Sequence, residues 1–169
     1  MDVIEAIKVR RSIRAYLPKQ IEDEKLHLIL ESARLAPSAS NYQPWKFIVV
    51  RDVEMKKNLA EACCSQDFVG EADTIIVGLG LRKHKFRNGY PSNAVDVSIA
   101  LEHMVLEATE LNIGTCWIAA FEPKTVKNLL NIPESVEVAC IITFGYPAEI
   151  PPPRERKPLN EIICYEKYC

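Results

Sequence analysis

Residues Thr74-Ile75-Ile76-Val77-Gly78-Leu79-Gly80-Leu81 form an unbroken apolar run, and a helical stretch from Ser92 or Asn93 to Leu111 follows it. A strand without polar alternation must be covered on both faces. The helix is apolar over much of its circumference (Val95, Ile99, Leu101, Met104, Val105, Leu106, Ala108), so it belongs inside the protein. These two segments are interior elements, and the rest of the chain has to be arranged around them. At 169 residues there is one domain's worth of chain, with enough length for a real core.

The flanking segments read from periodicity and punctuation. Asp2-Val3-Ile4-Glu5 has the spacing of a capping box, and Val3, Ile4 and Ile7 share a face, which predicts a helix over 2–10. A second helix runs over 22–36, with Leu26, Ile29, Leu30 and Ala33 at helical spacing and Pro37 as its stop. Trp45 to Val50 reads as a strand and 54–63 as a short helix. Residues 82–91 are polar and basic, hence an exposed loop. Thr115–Ile118 reads as a strand, 123–130 as a helix opened by Pro123, and 136–146 as the last interior strand. Pro147 and Pro151-Pro152-Pro153 then impose an extended path over a surface, its own or a partner's.

Bulk properties exclude several classes. A net charge of −2 gives no general electrostatic support for nucleic-acid binding. No apolar run approaches a membrane span, and the first residues lack the pattern of a secretory signal, so the chain reads as cytoplasmic. The six cysteines (63, 64, 116, 140, 164, 169) contain no C-x-x-C pair and read as buried or incidental thiols, Cys169 being open to oxidation between chains. Glu102 and His103 read as structural or solvated, because the three histidines have no metal-ligand spacing. Trp45 reads as a core or interface anchor, and Trp117 stays open between core and site.

Against that background the basic residues cluster locally, at 10–14, 82–87 and 154–157. That distribution suits a small anion better than a polymer. Arg10-Arg11-Ser12-Ile13-Arg14 places three guanidiniums and a hydroxyl within one turn, and planar guanidinium forks grip phosphate oxygens two at a time. Taken alone the cluster also fits a solvated helix end. Gly78-Leu79-Gly80-Leu81-Arg82 lacks the third glycine and the helix of a dinucleotide fingerprint, and there is no Walker loop. Phosphate would have to be held by side chains.

Four stretches, RRSIRAY, APSASNYQPWKFIVV, GTCWIAAFE and RKPLNEII, resemble the nitroreductase family of FMN-dependent oxidoreductases over essentially the whole chain. The second is the most specific. The resemblance implies an α+β, three-layer fold with a mixed central sheet flanked by helices. It also implies an intertwined homodimer, with tail 147–169 packed on the partner and two FMN sites in the interface. Arg10 and Arg156 would hold the FMN phosphate, and Arg11 and Ser12 would complete the ribityl-phosphate cradle. Arg14 would approach the N1/O2 side of the ring, where a fixed cation favours the reduced state. Pro37, Ser38, Ala39, Ser40 and Asn41 would reach the flavin from the other subunit. Backbone amides near Ile118, Ala119 and Ala120 would meet N5 and O4. Gln66 is a weaker candidate for the pyrimidine edge.

The implied chemistry is the cofactor's own: hydride passes from NADH or NADPH to flavin N5, then to a planar acceptor of nitroaromatic or quinone type, by a ping-pong scheme. No protein nucleophile, general base or metal is required. Loop 82–91 either borders the substrate slot, attracting a phosphorylated nicotinamide, or is simply solvated. Two alternatives remain: a flavin-binding module without turnover, and a reductive dehalogenase or flavin-fragmenting relative. The short spacing between Leu81 and Ser92 argues against the large lid of the dehalogenating branch.

Overall fold

The computed structural model describes residues 1–81 and 85–168, so Arg82, Lys83, His84 and Cys169 lie outside the described residues. The part of loop 82–91 expected to attract a phosphorylated nicotinamide falls largely there. Among the described residues six helices and four strands follow one another as α1 (Val3–Val9), α2 (Asp23–Arg34), β1 (Trp45–Val50), α3 (Val53–Ala62), α4 (Asp67–Glu71), β2 (Thr74–Gly80), α5 (Ser92–Glu110), β3 (Gly114–Ile118), α6 (Pro123–Leu129) and β4 (Glu137–Gly145). Short 3₁₀ turns sit at Ala39–Asn41 and Leu159–Glu161. Every element read from periodicity is present. The five-residue α4 was not foreseen, because a single helical turn leaves no periodic signal.

The sheet has the order β1-β2-β4-β3, and every neighbouring pair is antiparallel. The expected mixed sheet is therefore corrected for its four strands. The parallel element is one isolated bridge, Ser12 to Thr115, where the N-terminal segment runs beside β3. β2 is buried at every position, as its unbroken apolar run requires. One face of the sheet carries a core built with α2 and α5, including Ile29, Ala33, Leu101, Met104 and Phe144. The other carries a core reaching α3, α4 and α6 through Leu59, Val69 and Val126. The result is an α/β/α sandwich, the three-layer α+β arrangement expected.

Gly78 explains how α5 comes so close. A methyl group there would lie 2.8 Å from Leu101 Cδ1 and 3.0 Å from Val97 Cγ1. The glycine that could not build a nucleotide loop instead lets the helix settle on the strand.

Some apolar surface has no cover within the chain. α1 buries only Ala6, while Val3, Ile4, Ile7 and Val9 are exposed, so the shared apolar face of this helix does not turn into its own core. Leu159, Ile162, Ile163, Tyr165 and Tyr168 in the tail are exposed too. Cys63, Cys116 and Cys140 are buried free thiols, and burial pushes the Cys63 and Cys140 thiols up to about 11. Cys164 is held in a disulfide, which corrects its reading as an incidental thiol. Among the described residues no helix is long and apolar enough to cross a membrane.

A polar clasp joins the start of α2 to the end of β4. Tyr146 donates its hydroxyl hydrogen to Glu22 Oε2 at 2.5 Å, and Lys25 Nζ donates to the same hydroxyl at 2.8 Å. Lys19 Nζ sits 3.7 Å from the centre of the Tyr146 ring. Chiefly through the Tyr146 hydrogen bond, the Glu22 carboxyl is held down at about 2, against 4.5 when free. A depressed carboxyl stabilises the fold above its unfolded value, and that contribution is lost as pH falls through the folded one. Tyr146→Phe should therefore flatten the loss of stability between pH 4.5 and 2 and move the Glu22 titration upward, read by chemical denaturation across that range and by carboxyl NMR. An unchanged Glu22 titration would assign its depression to another cause.

A candidate anion and ring site at the open edge of β3

The arginine segment is placed by its apolar residues. Ile13 donates its amide to the Thr115 carbonyl at 2.8 Å, and the Ile13 side chain is buried. Tyr16, three residues on, is also buried, and its hydroxyl meets the Ile13 carbonyl at 2.9 Å and Thr143 Oγ1 at 2.7 Å. Burial raises the Tyr16 phenol well above its ordinary range, so the hydroxyl stays protonated. Ile13 and Tyr16 pack with Ala72, with Phe68 against them. Room for Ile13 comes from Gly114, where a methyl group would stand 2.7 Å from Ile13 Cγ1. With Ile13 and Tyr16 turned inward, Arg10, Ser12 and Arg14 are left half-buried or exposed on the other side of the segment.

Those residues surround one cavity of about 510 Å³ with the proline-rich tail. Its lining includes Lys8, Arg10, Arg11, Ser12, Arg14, Arg154 and Arg156, together with Pro151 to Pro153, and among the described residues it contains no carboxylate. The basic residues from the two ends of the chain thus meet in one place. Two arginines elsewhere are paired: Arg34 with Glu31, and Arg51 with Asp23 and Asp73. Among the described residues no ion pair involves Arg10, Arg11, Arg14, Arg154 or Arg156. A concentration of cations without internal counterions is an electrostatic demand for an external anion.

The members of the cluster are not equivalent. Arg11 Nη1 donates to the Lys8 and Arg10 carbonyls, at 2.8 Å each, and so caps the C-terminal end of α1. Its Nε is buried without a protein partner. The rest of this guanidinium therefore braces the turn, while Arg10, Arg14 and Arg156 keep their forks free of protein hydrogen bonds among the described residues. A second cavity, about 450 Å³ and mostly apolar, lies behind Arg10 and Arg11, between α1, the end of α5 and the start of β3.

Beyond the cations, β3 carries the chain to Ile118, which is buried, and then to Ala119 and Ala120, which are exposed. α4 lies between this turn and the arginine segment. The Arg14 guanidinium stands 6.0 Å from the centre of the Phe68 ring, and Gln66 Nε2 reaches the Cys63 carbonyl at 2.7 Å and the Ala120 carbonyl at 3.5 Å. Phe68 had no place in the sequence reading; only the three-dimensional placement of α4 reveals it. Trp117 is half-buried against the α5 core and donates its indole N–H to Glu102 Oε2 at 3.1 Å, so the open reading resolves toward packing. Trp45 packs on the same core, its ring stacked with Phe47. His103 Nδ1 lies 3.4 Å from the Ser32 carbonyl, and Glu102 holds Trp117.

The loop of Pro37, Ser38, Ala39, Ser40 and Asn41 is somewhere else. It precedes β1, and the sheet order puts β1 at the edge opposite β3, three strand spacings or about 14 Å away. It is held to α5 by the Ala39 amide on Asp96 Oδ1 at 3.1 Å, and to itself by the Gln43 amide on Ser38 Oγ at 2.9 Å. Ser40, Asn41 and Gln43 all have φ near +50°, a left-handed conformation that is costly for side-chain-bearing residues. Within one protomer this loop does not reach the cationic cavity.

Comparison with known proteins identifies the family and the fold. The sequence profile of the Nitroreductase family matches residues 7–66 and 62–146, and the chain belongs to that family. A relative from Archaeoglobus fulgidus, whose name couples NADH dehydrogenase with NAD(P)H nitroreductase, is 39% identical over 152 residues, covering 88% of this chain and 87% of the relative. The protein named FMN reductase [NAD(P)H] in Bacillus subtilis is 29% identical over 99% of this chain and 74% of its own length. Among solved structures, a nitroreductase family protein of Clostridium difficile superposes with a TM-score of 0.89 at 32% identity, covering 99% of this chain and 100% of that one.

The placement of the arginines by a glycine gives a direct test. Gly114→Ala brings a methyl group within 3.0 Å of the Ile13 Cβ as well as 2.7 Å of Cγ1, and a β-branched side chain has no flexible end to yield. The expected cost is about 1–3 kcal/mol in chemical denaturation. The double variant Ile13→Ala with Gly114→Ala should lose less than the sum of the single losses. Strict additivity would show that the two residues do not press on each other.

Proposed function

We propose that the chain is an FMN-dependent oxidoreductase that passes hydride from NADH or NADPH to flavin N5 and on to a planar acceptor of nitroaromatic or quinone type, in ping-pong order. The observation that carries this reading is the meeting of Arg10, Ser12, Arg14 and Arg156 around one cavity free of carboxylates. Family membership and relatives named for NAD(P)H and FMN or flavin reduction support the general activity.

The residues fit the cofactor. A phosphate dianion would be held by the guanidinium forks of Arg10 and Arg156 and by the Ser12 hydroxyl, all of which line the cavity. Arg11 stiffens the turn that carries them. Arg14 extends from the same segment toward Phe68 of α4 and would supply positive charge to the ring's N1/O2 edge. The exposed backbone at Ala119 and Ala120, following Ile118, offers amides to N5 and O4. Gln66, bonded to the Ala120 carbonyl, would be the weaker candidate for the pyrimidine edge. Bound there, FMN supplies a hydride acceptor and donor at N5. The chain supplies charge, orientation and a flat approach.

A second copy completes the site. Pro37, Ser38, Ala39, Ser40 and Asn41 lie across the sheet from the cationic cavity, so a flavin held by both sets requires two chains. The exposed apolar residues of α1 and of the tail give such a homodimer a surface to bury. With tail 147–169 packed on the partner, Arg156 would be fixed by the same association that brings in the second loop.

Three measurements test the reading. Anaerobic addition of NADH or NADPH to the FMN-loaded protein should bleach the flavin absorbance; a protein that holds FMN yet stays yellow with both donors is a binding module, and one that takes up no FMN refutes the site. Arg10→Ala and Arg156→Ala should each weaken FMN binding about tenfold to a hundredfold by fluorescence titration, the loss from deleting one charge-assisted contact. Dilution below the dimer dissociation constant should release FMN; retention by a proven monomer would reject the shared site.

A further inference from the structure

Arg14 is exposed and has no hydrogen bond or ion pair among the described residues, yet it is the cation whose position matters most to the ring. A free arginine samples many rotamers and delivers its charge to no fixed point. The aromatic ring beside it is that of Phe68, whose centre lies 6.0 Å from the guanidinium carbon. Phe68 is itself anchored. It packs against the Ile13, Tyr16 and Ala72 cluster, and the next residue, Val69, is fully buried. α4 is also tied on its other side, where Gln66 bonds to the Cys63 and Ala120 carbonyls. One short helix therefore touches both the arginine segment and the turn after β3.

We propose that Phe68 is a positioning residue, its ring face holding the Arg14 guanidinium at the flavin edge. This rests on the proposed function. The aromatic quadrupole attracts the cation and restricts its rotamers before any cofactor arrives, so less freedom is lost on binding. Phe68 makes no demand on the phosphate, and its contribution passes through Arg14 alone.

The test begins without cofactor. In the NMR spectrum of the apoprotein the Arg14 side-chain protons should carry an upfield ring-current shift that disappears in Phe68→Leu, a variant that keeps apolar volume at the packed site. Arg14 protons at unperturbed positions in the wild type would overturn the proposal. With FMN, Phe68→Leu should weaken binding about two- to fivefold. It should also lower the flavin reduction potential in the same direction as Arg14→Ala and by less, while Phe68→Tyr stays near wild type. In an Arg14→Ala background, Phe68→Leu should change neither quantity. If Arg14→Ala moves both quantities and Phe68→Leu moves neither, the positioning role falls and the placement of Arg14 stands. If Arg14→Ala moves neither, both fall.

Discussion

The insertion of Ile13 above Gly114, fastened by the Ile13 amide on the Thr115 carbonyl, is the contact on which the site depends. It converts a flexible stretch after α1 into an appendage of the sheet. Without it the guanidiniums would belong to a mobile surface segment. With it they inherit the rigidity of β3, which is itself paired along its length to β4. Tyr16 repeats the device at the next register position, its ring resting against Gly145, the strand partner of Gly114. Two facing glycines thus form a trough, and two large side chains fill it.

The electrostatics follow from that anchoring. Arg51 and Lys56 show what this fold does with cations that serve structure: Arg51 pairs with Asp23 and Asp73, and Lys56 Nζ is enclosed by the Ala72 and Asp73 carbonyls. Around the cavity Arg11 alone is held in this way, by the Lys8 and Arg10 carbonyls, while Arg10, Arg14, Arg154 and Arg156 have no such partners among the described residues. Their mutual repulsion opposes folding, and an anion held among them, as the proposed function requires, would relieve it. On that reading, stability and cofactor retention would be coupled through the same charges. The strained loop at Ser40, Asn41 and Gln43 is a comparable case, because its left-handed residues are maintained by surrounding bonds such as the Ala39 amide on Asp96.

Much of the fold was legible because its signals are local. The β1 limits, Trp45 to Val50, matched the aromatic and β-branched run, and Asp2 accepts the Glu5 amide as its capping spacing predicts. Pro123 opens α6. What escaped was either too short or decided at a distance. α4 is a single turn, and with it Phe68 went unseen. The mixed sheet became antiparallel because strand direction depends on how connections cross the sheet, which no window of sequence contains. The apolar face of α1 was legible as a face, but its exposure was not, since periodicity says that a stripe is to be covered and not by what. Arg11 looked equivalent to its neighbours until its fork was found on the Lys8 and Arg10 carbonyls.

By itself the sequence determined the elements, the interior strand and helix, and the side chains of a candidate anion site, because residue type and short-range spacing encode those things. Tertiary structure alone decided that Arg156 joins Arg10 at one cavity, that α4 stands between Arg14 and Ala120, and that the loop at Pro37 to Asn41 lies across the sheet. The reason is physical. Convergence of segments far apart in the chain is fixed by the packing of the whole core, and only the summed burial of that core overcomes the entropy of bringing them together.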